Sequence, residues 1–201
     1  LSAGFLPIFA EVKEKKGREE AFAFASQVFG WFACALALLA LVGTVFAETL
    51  VPIMVHGFSG ERLDLTVKLT RILFLSPVLL GVSAVFGGVL QSMRKTLAFA
   101  FAPVWYNVGI LLGIVLLSPW LGVTGVAVGV LTGALFHVLT QGIGARRLGL
   151  AWPTQLRFTP ELKRLLTLTG PRLTGLGASQ VSLVVMLSFA STLNTGSVAV
   201  F

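Results

Sequence analysis

The sequence predicts an all-α, polytopic transmembrane bundle, and three observations carry that prediction. Hydrophobic residues fill 56% of the 201 positions and charged residues only 11%, whereas soluble domains carry about 25% charged residues. The charges leave four long uncharged runs, at 21–47, 72–93, 96–145 and 173–201. The basic residues sit in short segments between those runs, so the net charge of +7 reflects membrane topology and gives no reason to expect nucleic acid.

The first residues, LSAGFLPIFAEVKEKKG, pass from an apolar stretch into a charge cluster. They read as the end of a membrane helix that starts upstream, so the chain is expected to be an internal fragment. A signal peptide has the opposite order, with its charges ahead of its apolar stretch. Residues 11–20, EVKEKKGREE, read as a charged, solvated turn in which Gly17 interrupts a helical pattern.

The first complete span is expected at 26–47, since about 20 residues of helix cross the hydrocarbon core. It holds Cys34, the single cysteine, which excludes an internal disulfide and reads as a small buried apolar residue. Segment 48–68, with Pro52, His56, Gly57 and Gly60, predicts an interfacial turn and a short amphipathic lead into a second span at 71–92. His56 reads as an exposed loop residue, because no second ligand stands at metal-binding spacing.

Run 96–145 would make a rod of about 75 Å, more than twice the thickness of the core. It must fold back, and Ser118-Pro119-Trp120-Leu121-Gly122 is the turn, giving spans at 97–117 and 122–143. Pro77 and Pro103 fall inside spans, where each removes a backbone hydrogen bond and bends its helix. In span 122–143, Gly125, Gly129, Gly133, His137 and Gln141 recur every four residues. One ridge of this kind admits a second helix at close range, with His137 and Gln141 bonded across the seam. Gly109 and Gly113 of the preceding span would supply the opposing surface, and a substrate-lining role is the alternative for the ridge.

Residues 144–170 predict a connection with an interfacial amphipathic helix. Thr159 is a natural N-cap, Pro160 suits the first helical position, and Glu161 favours the positive end of the dipole. The last span, 171–193, follows. In alternate connections, Lys and Arg number eleven on one side (11–20, 94–95 and 146–164) and three on the other (48–71 and 118–122). The positive-inside rule places the richer set in the cytoplasm.

No catalytic constellation is visible. All eight carboxylates lie at or outside the span ends, and HExxH, CxxC and P-loop patterns are missing. The chain therefore does not read as an enzyme, and no cofactor or metal is expected. Polarity inside the membrane is sparse, and the groups that stand out are Asn107, His137, Gln141, Ser179, Gln180, Ser182 and Ser188, with Arg172 near one end. Such groups need a partner or a wet cavity, which makes each a functional candidate. Arg172 either snorkels to the cytoplasmic surface or attracts phosphate.

Five landmarks in order resemble a known family. Gly4-Phe5-Leu6-Pro7-Ile8-Phe9-Ala10-Glu11 resembles the end of the second helix of the MurJ (MviN) lipid II flippases. Leu69-Thr70-Arg71-Ile72-Leu73-Phe74 with Pro77 resembles the entry to their fourth helix, and Ala100-Phe101-Ala102-Pro103-Val104-Trp105-Tyr106-Asn107 their fifth. Gly170-Pro171 and Ser179-Gln180-Val181-Ser182-Leu183 resemble the opening of the seventh.

The resemblance implies a multidrug/oligosaccharidyl-lipid/polysaccharide (MOP) exporter fold of MATE-like type. In that frame, residues 1–143 belong to the N-terminal lobe, 144–170 form the interlobe linker, and 171–201 begin the C-terminal lobe. The implied activity is movement of lipid II, or a related polyprenyl-diphosphate glycolipid, across the bacterial cytoplasmic membrane by alternating access. Membrane lipids are the other expected partners. The family's cavity arginines lie mainly in helices outside this chain, which leaves Asn107, Gln180 and Arg172 as substrate-binding candidates. Met186 stands where relatives often carry Asp or Asn near a sodium position, and Gln91 replaces a common Asn, so no ion site is inferred here. Export of another polyprenyl-linked glycan or a drug is the related alternative, and a non-transporting membrane scaffold is the alternative of a different class.

Overall fold

A computed structural model describes the backbone of residues 2–191 and the side chains of residues 4–190. Nine α-helices and one π-helical turn account for the architecture of the described residues, which include no strand. Helix α1 (Ser2–Lys16) turns at Gly17, whose φ of 93° favours glycine, into α2 (Arg18–Val45). The short α3 (Ala47–Met54) continues outward, and after a loop α4 (Glu61–Leu73) and α5 (Leu75–Ser92) return as one span. Helix α6 (Thr96–Leu112) passes through the π turn Gly113–Leu117 into the single turn α7 (Ser118–Leu121). Gly122, at φ 57°, reverses the chain into α8 (Val123–Arg147), and α9 (Pro160–Ser191) closes the described chain.

Five of these stretches are long and apolar enough to cross a membrane, namely 18–45, 61–92, 96–121, 123–147 and 160–190. They coincide with the five expected spans, and each is extended at an end by polar turns that hydropathy does not count.

The differences from expectation are local. Segment 48–54 continues as helix α3 after a single-residue break at Phe46, because Val51 and Ala47 bury themselves with Val55 and Val67 at the outer end. Cys34 is exposed. Helix α2 buries its cytoplasmic half through Phe22, Phe24, Ala25 and Val28, while its outer half turns outward apart from Gly43. Pro77 coincides with a real interruption: α4 stops at Leu73, the carbonyl that Pro77 has no N–H to reach, and α5 restarts at Leu75. Pro103 lies inside an unbroken α6, and the departure from α geometry in that span comes ten residues later, at Gly113. The interfacial helix expected within 144–170 and the span after it are one continuous helix, α9, which runs through Pro171.

The larger core lies at the end bearing most of the basic residues. Phe5 stacks on Phe24 with centroids 5.6 Å apart, Phe9 meets Phe22 edge-on at 5.9 Å, and Ile8, Leu162 and Leu165 fill the remainder. Within a bilayer such packing supplies dispersion contacts that lipid tails, equally apolar, would partly replace.

Candidate functional site

Three groups of residues carry the polar chemistry. The first is the hairpin seam between α6 and α8. A Cβ added to Gly109 would fall on the backbone of Gly133, one on Gly129 would lie 2.6 Å from Gly113 Cα, and one on Gly125 would meet Leu117 and Ser118. Backbone touches backbone along three turns, an approach that only glycine permits. The π turn begins at Gly113, which lies on this seam against Gly129, and π turns of this kind recur where a helix accommodates a local misfit.

The same ridge ends in two polar side chains. His137 Nδ1 lies 2.8 Å from Ser83 Oγ on α5, and its ring stands edge-on to Tyr106 of α6 with centroids 6.4 Å apart. Ser83 is fully buried and His137 half-buried, and this bond ties α5 to the hairpin. Gln141 is 2% exposed and its Oε1 has no hydrogen-bond partner. It rests against Gly87, where an added Cβ would lie 2.7 Å from that oxygen.

The second group is a clasp at the cytoplasmic end, as the Lys/Arg count orients the chain. Arg164 Nη1 donates to Glu11 Oε2 at 2.7 Å, Lys15 Nζ to Glu11 Oε1 at 3.0 Å, and Lys16 Nζ to Glu161 Oε1 at 2.7 Å. The connection 148–159 is pinned across α2. Arg157 N–H donates to Gln27 Oε1 at 2.7 Å, Gln27 Nε2 donates to the Gln155 carbonyl at 2.9 Å, and Trp31 Nε1 donates to the Arg157 carbonyl at 3.2 Å. Trp152 meets Phe29 edge-on at 4.7 Å. Leu162 N–H donates to Thr159 Oγ1 at 3.3 Å, so Thr159 caps α9 with Pro160 at its first position.

Hydrogen bonds from Lys15 and then Arg164 hold the Glu11 carboxyl below its ordinary range, and Lys16 does the same for Glu161. Glu161 in turn raises Lys16. A cavity of about 470 Å³ opens beside the clasp, lined by Lys16, Glu20, Gln27, Arg157, Thr159 and Glu161.

The third group is the set of expected substrate contacts, which the chain does not gather together. Asn107 is exposed on α6 and donates through Nδ2 to the Pro103 carbonyl at 2.8 Å. Arg172 and Gln180 are exposed on α9. Among the described helices, α9 touches only α1, α2 and α3, so its two candidates stand apart from Asn107. The clasp was missed in the sequence because its partners lie 145 and 153 residues apart, and each charge already had a local reading. The faint signal is that EVKEKK and ELKR are mixed-charge segments at the same membrane surface. At the outer end, His56 Nδ1 lies 2.8 Å from Ser188 Oγ of α9, a second tie between distant parts. No group of three or more potential metal ligands occurs among the described residues.

Comparison with known proteins places this arrangement. The family model described as "Lipid II flippase MurJ" matches residues 1–201. A protein named "Lipid II flippase MurJ" from Burkholderia cenocepacia is 30% identical over 207 residues, covering 98% of this chain and 40% of the relative. A "Probable lipid II flippase MurJ" from Buchnera aphidicola subsp. Acyrthosiphon pisum is 28% identical over 209 residues, with the same two coverages, 98% and 40%. A solved structure titled "Lipid II flippase MurJ, inward closed conformation" superposes with a TM-score of 0.79 at 24% identity, over 98% of this chain and 41% of that one. It shares the fold. The chain thus spans about two fifths of the length of the curated relatives it matches. With a whole-chain family match and five membrane-crossing helices, this multi-pass segment of the bacterial inner membrane belongs to the MurJ lipid II flippase family.

Proposed function

We propose that the protein containing this chain carries the undecaprenyl-diphosphate-linked peptidoglycan precursor from the inner to the outer leaflet by alternating access, as a transporter and not an enzyme. The observation that carries the reading is the family match along the whole chain. The geometry is compatible with it in a specific way. Helices α5, α6 and α8 are joined backbone to backbone or by a half-buried hydrogen bond. Helix α9 packs Leu162 and Leu165 into the core at the cytoplasmic end, and its polar ties are exposed ion pairs at that end and a His–Ser contact at the other. A rigid hairpin beside a helix whose polar ties can be made and broken suits a protein that must change which side it opens to.

On this reading, residues 1–143 are part of the N-terminal lobe, 144–170 are the interlobe linker, and 171–201 begin the C-terminal lobe. Arg172 suits a diphosphate, because guanidinium bonds phosphate oxygens in pairs and stays charged. Asn107 and Gln180 would add neutral hydrogen bonds to the sugar–peptide head.

The test is complementation. The complete reading frame should restore growth to flippase-depleted bacteria, and Asn107→Ala and Gln180→Ala should reduce that rescue at unchanged protein levels. A membrane-inserted protein that fails to rescue yet supports export of another polyprenyl-linked glycan would move it to a different branch of the superfamily. Rescue insensitive to both substitutions would remove Asn107 and Gln180 from the substrate path.

A further inference from the structure

The ends of α5 and α8 that face the same membrane surface close with the same backbone motif but different residues. At the end of α8, Leu150 N–H donates to the Ala145 carbonyl at 3.1 Å and Gly149 N–H to the Arg146 carbonyl at 2.9 Å, with Gly149 at φ 103°. At the end of α5, Lys95 N–H donates to the Leu90 carbonyl at 2.8 Å and Arg94 N–H to the Gln91 carbonyl at 3.0 Å. The left-handed position there is filled by Arg94, at φ 56°, and it is the one non-glycine residue with positive φ among the described residues. Glycine would serve this turn without strain. A cation is kept where the backbone favours its absence.

Arg94 and Lys95 border a cavity of about 550 Å³ together with Arg147, and Leu90, Leu97 and Leu148 form its apolar walls. None of the three cations forms an ion pair among the described residues, and no carboxylate lines the cavity. Arg18 Nη2 bonds the Leu148 carbonyl at 2.9 Å, which brings a fourth cation to the rim. Leu97 is 75% exposed, so the apolar wall is open at that residue among the described residues. By the Lys/Arg count this is the cytoplasmic surface, the leaflet level at which a phospholipid phosphate would meet the cations while its chain follows the leucines.

We propose that Arg94, Lys95 and Arg147 form a binding site for the phosphodiester of an anionic glycerophospholipid, seated at the α5–α6 turn against the end of α8. The occupant is a membrane lipid and not a soluble phosphate, because the cations share one cavity with apolar leucine walls at the level of the cytoplasmic leaflet. The proposal does not depend on which substrate the protein carries.

The experiment uses the complete protein, delipidated in neutral detergent and titrated with dioleoyl-phosphatidylglycerol or dioleoyl-phosphatidylcholine. Bound lipid is read by native mass spectrometry and stability by thermal unfolding. Phosphatidylglycerol should bind more tightly than phosphatidylcholine and raise the melting temperature. Lys95→Gln, at an exposed turn that bears little on folding, should weaken phosphatidylglycerol about fivefold, and the triple neutralisation R94Q/K95Q/R147Q about 100-fold. Arg94→Gly should separate the two roles, raising the melting temperature without lipid while weakening phosphatidylglycerol. Lys163→Gln, a basic residue outside the cavity, should change neither.

Equal binding of the two lipids would overturn the proposal, as would unaltered phosphatidylglycerol affinity in both Lys95→Gln and Arg94→Gly. Displacement by millimolar inorganic phosphate would make the site one for a soluble anion. Displacement by an equal concentration of a polyprenyl diphosphate would assign the site to the transported substrate, leaving the flippase reading intact and the membrane-lipid reading refuted.

Discussion

Replacing Gly129 with alanine tests how far the bundle depends on its backbone-to-backbone seam. The new Cβ would lie 2.6 Å from Gly113 Cα, whereas carbon atoms pack at about 3.5–4.0 Å. Backbone cannot rotate aside, so α6 and α8 must part by about 1 Å, and a gap of that size forfeits a quarter to a half of each contact it opens. The loss spreads along the hairpin, because Gly109–Gly133 and Leu117–Gly125 lie on the same seam. Overpacking of this kind costs about 1–3 kcal/mol. A cost of that size lowers the melting temperature of a 150–250-residue domain by roughly 2–12 °C, and that of a longer protein by less.

Gly142→Ala on the same helix is the comparison. Its Cβ meets Phe86 Cε2 at 3.1 Å, a ring edge that can tilt, and alanine's helix propensity offsets the contact by up to about 1 kcal/mol. Thermal unfolding in detergent, followed by intrinsic fluorescence, should show a clear drop for Gly129→Ala and little change for Gly142→Ala. Equal melting temperatures for the two would refute the claim that backbone contact at the seam holds the hairpin.

Other outcomes follow from the same geometry. Ser83→Ala should destabilise the protein by about 0.6 kcal/mol and at most about 1.7, the range found for hydrogen bonds inside membranes, read as a shift in unfolding midpoint. Gln141→Leu should be neutral or stabilising in the same assay, because it removes a buried oxygen that has no partner. At the clasp, Glu11→Arg should reduce cysteine cross-linking between α1 and α9, and the swap Glu11→Arg with Arg164→Glu should restore it. The Glu161–Lys16 link has two pH limits. The lowered Glu161 carboxyl keeps the link above its ordinary 4.5 and loses it as pH falls through the lowered value, and raised Lys16 keeps it below its ordinary 10.5 and loses it as pH rises through the raised value. Cross-linking across the clasp should therefore be flat between those limits, fall outside them, and weaken with salt. Single cysteines at Lys15 and Ser59 should label from opposite sides of the membrane, with Ser59 reacting from outside.

The spans were legible because hydropathy is a local, summed property, and each of the four uncharged runs is long enough to settle itself. The four-residue glycine period is equally visible as a pattern, and the Thr159-Pro160-Glu161 helix start is a local capping signal. Events one residue wide were not legible. The break at Phe46, the π turn at Gly113 and the unbroken passage of α6 through Pro103 depend on how neighbouring helices press on that point. The clasp was hidden for a different reason. Glu11 and Arg164 each look like ordinary solvated charges, and only the return of the chain after 153 residues makes them partners. Asn107, Arg172 and Gln180 were marked by motif and chemistry, neither of which specifies which helices stand beside them.

The continuity of α9 has a mechanical consequence. At 32 residues it is a rod about 48 Å long, longer than the roughly 30 Å hydrocarbon core. It is tied near Glu161 on one side of the membrane and near Ser188 on the other. Geometry then converts small rotations into large strokes: a tilt of about 10° about one end sweeps the other through about 8 Å. Releasing a 2.7 Å ion pair at the base of such a lever would be felt across the whole bilayer.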